Sequence, residues 1–344
     1  MQSWLIKVLL GVLAGGVAFA FIPGEEPLSA TYSHADCRRV GVFDRISGRP
    51  LVGIEDLELS RDQRSLYLSS YDRLEGRSAQ GGIYQIPVLS LGSGQQVPAT
   101  PLTDPARFRH GLRPHGMTLS ADGTRLAFVN RRRDNTVAIV EGPITETGLR
   151  IRMRYRRAGS LCRANDLVYA DTGNRLFLTI DRQACDVDLI DLVPWVGTGS
   201  VIAVPLQGRE DPIVISDGLA FANGVMPPFI AETRGERITR SDRTDWEIAL
   251  PGGPDNLSRT REGHIIAALH PSLFSLWLYR YGVSWSAPSR IAKIIPLAES
   301  VEVLFEDIDG DLFSAATVGA LTAGGTLVAG SVREDGLLVC ERRG

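Results

Sequence analysis

Five times along this chain a polar residue pair opens a short strand-like run, a turn and a second run. The units are "EDLELSRDQRSLYLSS" from Glu55, "HGMTLSADGTRLAFVN" from His115, "NDLVYADTGNRLFLTI" from Asn165, "NGVMPPFIAET" from Asn223 and "DNLSRTREGHIIAAL" from Asp255. Val, Ile, Leu, Tyr and Phe alternate throughout with Gly, Asp, Asn and Pro turns, and no long capped amphipathic helix stands out. Irregular recurrence at this length suits four-stranded propeller blades carrying loop insertions. A sixth unit would hold "DLFSAATVGALTAGGTLVAGSV" and close with "GLLVCER". The expectation is all-β: a six-bladed β-propeller over 35–344 with N- and C-terminal strands closing the ring, preceded by an N-terminal hydrophobic helix.

Closure needs the outer strand of one blade from the far end of the chain, and "CRRVGVFDR" at 37–45 can lie beside "GLLVCER" at 336–342. That pairing would bring Cys37 to Cys340. A bond there would close nearly the whole folded chain, worth roughly 5–6 kcal/mol on the loop-entropy model. Cys162 and Cys185 form a second bridge or remain two buried thiols; the thiols are the favoured reading. None of the four cysteines forms a CxxC, which disfavours zinc, and all suit an exported chain. Residues 1–24 read as an export signal or, if retained, a membrane anchor: an apolar run follows Lys7, and "AFA" at 18–20 suits cleavage. The expected location is periplasmic or extracellular, possible membrane association resting on that segment alone. With 37 basic against 40 acidic residues and a net charge of −3, no basic face follows a phosphate backbone, so nucleic acid is not an expected partner.

First strands of propeller blades line the central channel, so equivalent positions converge there. The converging pairs are Glu55–Asp56, His115–Gly116, Asn165–Asp166, Asn223–Gly224 and Asp255–Asn256. Four carboxylates in one channel repel each other unless a cation compensates them. Carboxylates and carboxamides with one imidazole suit a hard ion of high coordination number, calcium first. One such pair alone is more simply an Asx turn; five equivalent pairs favour metal.

The set "GIEDLEL", "RPHGMTL", "CRANDLVY", "GLAFANGV", "GPDNLS", "LHPS" and "GTLVAGSVREDGLLVCE" runs in order over about residues 35–342. It resembles the paraoxonase (arylesterase and lactonase) family of six-bladed propellers, a branch near the gluconolactonase-type propellers. The resemblance implies two calcium ions: a catalytic one held by Glu55, Asn165, Asn223, Asp255 and Asn256, and a structural one held by Asp56, Asp166 and the Met117 carbonyl. It implies the Cys37–Cys340 bond, active-site histidines at His115 and His270, and a pocket-wall aromatic at Phe221. Where the family has a second histidine, "FVNRRRD" offers Arg131, which cannot relay a proton and disfavours an imidazolium at His115. Arg131 is therefore a candidate substrate-binding residue.

The implied activity is calcium-dependent hydrolysis of a lactone or aryl ester by metal-activated water, with oxyanion stabilisation. His115 is the candidate base, with Asp255 or Glu55 as fallback, and His270 a candidate for orienting substrate. No G-x-S-x-G or HExxH occurs. The alternatives are a non-catalytic, calcium-stabilised scaffold and a sugar lactonase of the gluconolactonase type. "DIDGDLF" from Asp307 reads as a blade turn rather than an EF-hand. "HPSLFSLWLYRYGVSW" from His270 reads as a core strand, with a pocket wall or membrane-facing lid as the alternative.

Overall fold

The computed structural model describes residues 27–341 apart from 77–79, 93, 95, 135, 156–160, 171–172, 184, 186–195 and 208–209. The export signal or anchor and the hydrophobic helix expected within residues 1–24 lie outside the described residues. Among those described, no helix is long and apolar enough to cross a membrane.

Each repeat folds as an antiparallel set. Three sheets have four strands, opening with Ala164–Tyr169, Ala222–Met226 and Gly253–Arg259; a fourth, five-stranded, opens with Pro114–Leu119. The fifth sheet has eight strands. It joins the set Ile54–Leu59, Ser65–Ser70, Gly82–Pro87 and Gln96–Pro101 to a second set, Ala316–Leu321, Leu327–Ser331, Leu337–Cys340 and Cys37–Asp44. The first strands of successive sets pack side by side, and Ala316–Leu321 packs back against Ile54–Leu59. The result is an all-β, propeller-like fold of mostly strands.

Strand Cys37–Asp44 makes the closure. Its first half runs antiparallel to Leu337–Cys340, with Cys37 opposite Cys340, and its second half runs parallel to Gln96–Pro101. A disulfide joins Cys37 and Cys340, 303 residues apart. Cys162 and Cys185 are also bonded, with Cα atoms 5.5 Å apart, so the expectation of two thiols there is corrected. Both lie at the ends of loops flanking the hairpin Ala164–Ile180, a proximity that the sequence separation of 23 conceals.

The apolar faces of neighbouring strand sets meet in separate layers. Tyr67 and Ile83 pack with Leu126 and Phe128; Ile54 and Leu68 pack with Val318 and Val328. Each fully buried large side chain contributes about 1.5–3 kcal/mol, so the ring is held mainly by these inter-sheet layers.

One departure from the expected strands matters for the site. "LFSLWLYR" is the α-helix Leu273–Arg280, here α1, rather than a core strand. Ser272 caps it by accepting from the Ser275 N–H, directly after Pro271. Tyr279 anchors the helix, buried with Ala315 and Val332 and joined by Leu276, while Phe274 and Trp277 stay exposed. "DIDGDLF" is the expected turn, with both Asp307 oxygens accepting N–H groups from Gly310 to Phe313.

Candidate active site

Two adjacent strand residues ordinarily point to opposite faces. Here every first strand breaks register with its second strand at the polar pair: between Ile54 and Asp56, Pro114 and Met117, Ala164 and Leu167, Ala222 and Val225, Pro254 and Leu257, and Ala316 and Val318. Such irregularity re-aims side chains and raises local twist. It lets both members of a pair such as Asp255–Asn256, inside the strand Gly253–Arg259, serve the centre of the ring.

The first members meet at one end. Glu55, His115, Asn165, Asn223, Asp255, Asn256 and His270 are all buried. Glu55 Oε2 accepts a bond from Arg73 Nη2, and Glu55 Oε1 lies 3.4 Å from His115 Nδ1. Arg73 Nη2 is also 3.1 Å from that nitrogen. A guanidinium only donates, so Nδ1 accepts and the neutral ring keeps its proton on Nε2. Burial first, then the charges of Arg131, Arg73 and Arg280, hold the His115 imidazolium well below the ordinary histidine range. The neutral His115 expected from Arg131 is thus reinforced by Arg73 and Arg280, two residues the sequence did not single out.

Across the ring, His270 Nε2 lies 2.8 Å from Asp255 Oδ2. Asn256 Nδ2 donates to the Glu55 carbonyl at 3.0 Å, and Thr317 Oγ1 donates to the same oxygen at 2.9 Å. Asn223 Nδ2 donates to Thr233 Oγ1 at 3.1 Å, and that hydroxyl donates to the Pro254 carbonyl at 2.6 Å. With their amide nitrogens engaged, Asn223 Oδ1 and Asn256 Oδ1 are buried with no hydrogen-bond partner among the described residues. Oxygens left so in a protein interior call for a positive partner.

The second members are arranged differently. Asp56 accepts from the N–H of Leu57 at 2.9 Å and of Met117, in the next sheet, at 2.7 Å. Asp166 repeats the device, accepting from Leu167 at 2.7 Å and from Val225, again in the next sheet, at 2.9 Å. The alternate sheets supply Gly116 and Gly224. A Cβ on Gly116 would stand 2.5 Å from Asp166 Cα, and one on Gly224 would stand 2.6 Å from the Asp255 carbonyl. Burial raises Asp56 well above the usual carboxylate range, the Asp166 charge adding to it, and burial pushes Asp166 up to about 7 despite its two donors. A cavity of about 350 Å³ runs on from these two toward the strands' far ends, lined by Glu58, Met117 and Leu257 among others.

Residues at the ends of the second strands or just past them complete the mouth. His270 ends one second strand, and Arg131 ends another. Arg131 Nε and Nη2 donate to the Ala164 carbonyl at 3.2 and 3.0 Å, and Nη2 lies 3.7 Å from Asp181. Phe221 stands half-buried just before its first strand, at φ 66, a left-handed backbone unusual for a bulky residue, with Arg234 over its ring at 5.2 Å. Arg73, Asp181, Thr233 and Arg280 were missed in the sequence. The end of the second strand in each repeat is the signal that finds Asp181 and Thr233.

Among the described residues, no three His, Cys, Asp or Glu side chains form a metal-holding group by themselves. An ion in the upper ring would therefore depend on the Asn carboxamides. The donors are hard oxygens, two of them unsatisfied, and they fit calcium.

No protein-family model and no curated protein matches the sequence. Among solved structures, a gluconolactonase of Xanthomonas campestris is similar with a TM-score of 0.51 and 16% identity, over 93% of this chain and 98% of its own. A Trichoderma reesei protein of carbohydrate-active enzyme family AA12 is similar with a TM-score of 0.53 and 11% identity, over 93% and 100%. At these identities the likeness establishes the all-β propeller-like architecture.

Proposed function

We propose that the chain is an exported, calcium-dependent hydrolase of lactones, with aryl esters as second substrates, on a six-bladed propeller of the paraoxonase kind. Dividing the eight-stranded sheet at its parallel pair, between Gln96–Pro101 and Cys37–Asp44, supports counting six blades. The observation that carries the reading is the pair of buried, unpartnered oxygens, Asn223 Oδ1 and Asn256 Oδ1, at the end of the ring that also holds Glu55, Asp255 and two histidines. One of the fold's neighbours is itself a gluconolactonase. Two disulfides favour an oxidising compartment. Retention of the apolar N-terminal segment would add membrane association.

Glu55, Asn165, Asn223, Asp255 and Asn256 would hold one ion and Asp56 with Asp166 a second, the Met117 carbonyl joining them. Bound in the upper ring, calcium supplies positive charge to the substrate carbonyl oxygen. The chain's own groups do the rest. Asp255, positioned by His270 Nε2, takes the proton of the attacking water as the new C–O bond forms. The ring C–O bond breaks, the departing oxygen takes a proton back, and a hydroxy acid leaves. His115 is poorly placed as base, because its Nδ1 already accepts from Arg73; its Nε2–H serves as a donor to bound substrate.

Turnover of a panel of lactones and aryl esters, with calcium and with chelator, tests this. Asn223→Ala and Asp255→Ala are expected to cost at least about 100-fold in kcat/KM while the protein stays folded. Absence of chelator-sensitive turnover on every substrate, in a folded protein, would sink the hydrolase and leave the scaffold.

A further inference from the structure

Around the mouth the cations outnumber the carboxylates they face. Arg73, Arg131, Arg182 and Arg280 act on a mouth holding Glu55, Asp181 and Asp255. Three of these guanidinium groups are committed. Arg73 bonds Glu55 and donates to the Val332 carbonyl at 3.0 Å. Arg131 bonds the Ala164 carbonyl, and Arg182 lies 3.8 Å from Asp181. Arg280 differs: among the described residues its guanidinium makes no hydrogen bond and no ion pair. The carboxylates its charge reaches, Glu55, Asp181 and Asp255, already lie against other groups: Arg73, Arg131 with Arg182, and His270.

The fold nevertheless holds Arg280 firmly by its neighbour. It ends helix α1, which starts three residues after His270. Tyr279 donates to Glu334 at 2.8 Å, lies under Arg333 at 4.3 Å, and packs on Val332, whose carbonyl anchors Arg73. A half-buried guanidinium held at a mouth with all its donors uncommitted is built to take a planar anion in a bidentate pair.

We propose that the substrate carries a carboxylate beside its reactive ring, and that Arg280 binds it, with the field of Arg131 and Arg73 behind. This deepens the lactonase reading and rests on it for turnover alone. A bound divalent ion would add to the positive charge, so such a site attracts anionic lactones in preference to neutral or lipophilic ones. Arg280 is then a specificity-determining residue, acting on a part of the substrate that does not react.

The test compares a five-membered lactone bearing a ring carboxylate with its primary amide, and the two corresponding lactams as non-hydrolysable probes. Wild-type kcat/KM is expected to favour the acid by about 10-fold or more at low salt, the preference shrinking as salt rises. In Arg280→Gln the acid-to-amide ratio falls by about 10-fold, chiefly through KM, and Arg280→Lys restores part of it. Calorimetry on the lactams should show the same Arg280-dependent preference for the acid. A ratio near one in the wild type, or an Arg280→Gln variant that loses both lactones equally, overturns the proposal. An Arg280-dependent preference for the lactam acid without turnover of either lactone keeps the anion site and removes the hydrolase; turnover without preference does the reverse.

Discussion

Glu55 and Asn165 are each one peptide bond away from Asp56 and Asp166, yet the two classes of residue have opposite environments. The aspartates spend both carboxylate oxygens on backbone N–H groups, one of them in the next sheet. Glu55 and Asp255 instead meet side chains, Arg73 and His270, while Asn223, and with it Asn256 although it is a second member, leave carboxamide oxygens unpartnered among the described residues. One register break per strand thus separates a structural residue from a reactive one at adjacent positions. The difference teaches that the polar pair is two devices: an interlock between blades and a ligand for the mouth.

The interlock predicts the largest effects. In Gly224→Ala the new Cβ would meet only backbone, at 2.6 Å from the Asp255 carbonyl, 2.7 Å from the Leu257 nitrogen and 2.9 Å from Asn256 Cα. No rotamer relieves those contacts, so the two strands must part. The expected loss is about 3 kcal/mol in urea unfolding, with activity falling too because Asp255 moves. An unfolding midpoint equal to the wild type's would refute the interlock at this blade. Asp166→Ala comes next, at about 2–3 kcal/mol, since it strands two buried N–H groups while relieving repulsion with Asp56. Its neighbour sharpens the contrast: Asn165→Ala should cost less than about 1 kcal/mol of stability yet remove most turnover. Equal stability losses at 165 and 166 would erase the distinction.

Much of this was legible in the sequence, and the misses have common causes. The repeat starts located the first strands, because turn chemistry and β-branched runs are local signals. Cys37 and Cys340 flanked them as closure requires, and the structure bonds them. The pairs were visible as pairs, though not the division of labour within them, which depends on register and on N–H groups 59 to 61 residues away. Helix α1 was misread because "LFSLWLYR" is apolar nearly all round, and its start signal, Ser272 after Pro271, is short. Arg73 and Arg280 carry no local mark among the arginines of this chain. Tertiary placement alone brings them to His115.

The finest probe of the two devices is the pH dependence of stability. Burial raises Asp56 and Asp166 above the unfolded carboxylate range, Asp166 to about 7, and Glu58 beside them to about 8. The folded chain then binds more protons than the unfolded chain between about pH 4 and 8, so stability falls as pH rises through that window. His115 has the opposite sign: its depressed value makes stability fall as pH drops below about 6.5, the unfolded histidine value. Above that pH only the carboxylates contribute. In chelator, Tm should therefore drop by roughly 5 °C between about pH 6.5 and 8.5, and Asp166→Asn should flatten much of the slope. Millimolar calcium should abolish the slope if an ion sits between the two aspartates, since it takes the place of the proton. A slope indifferent to calcium would assign Asp56 and Asp166 wholly to the interlock and confine metal to the mouth.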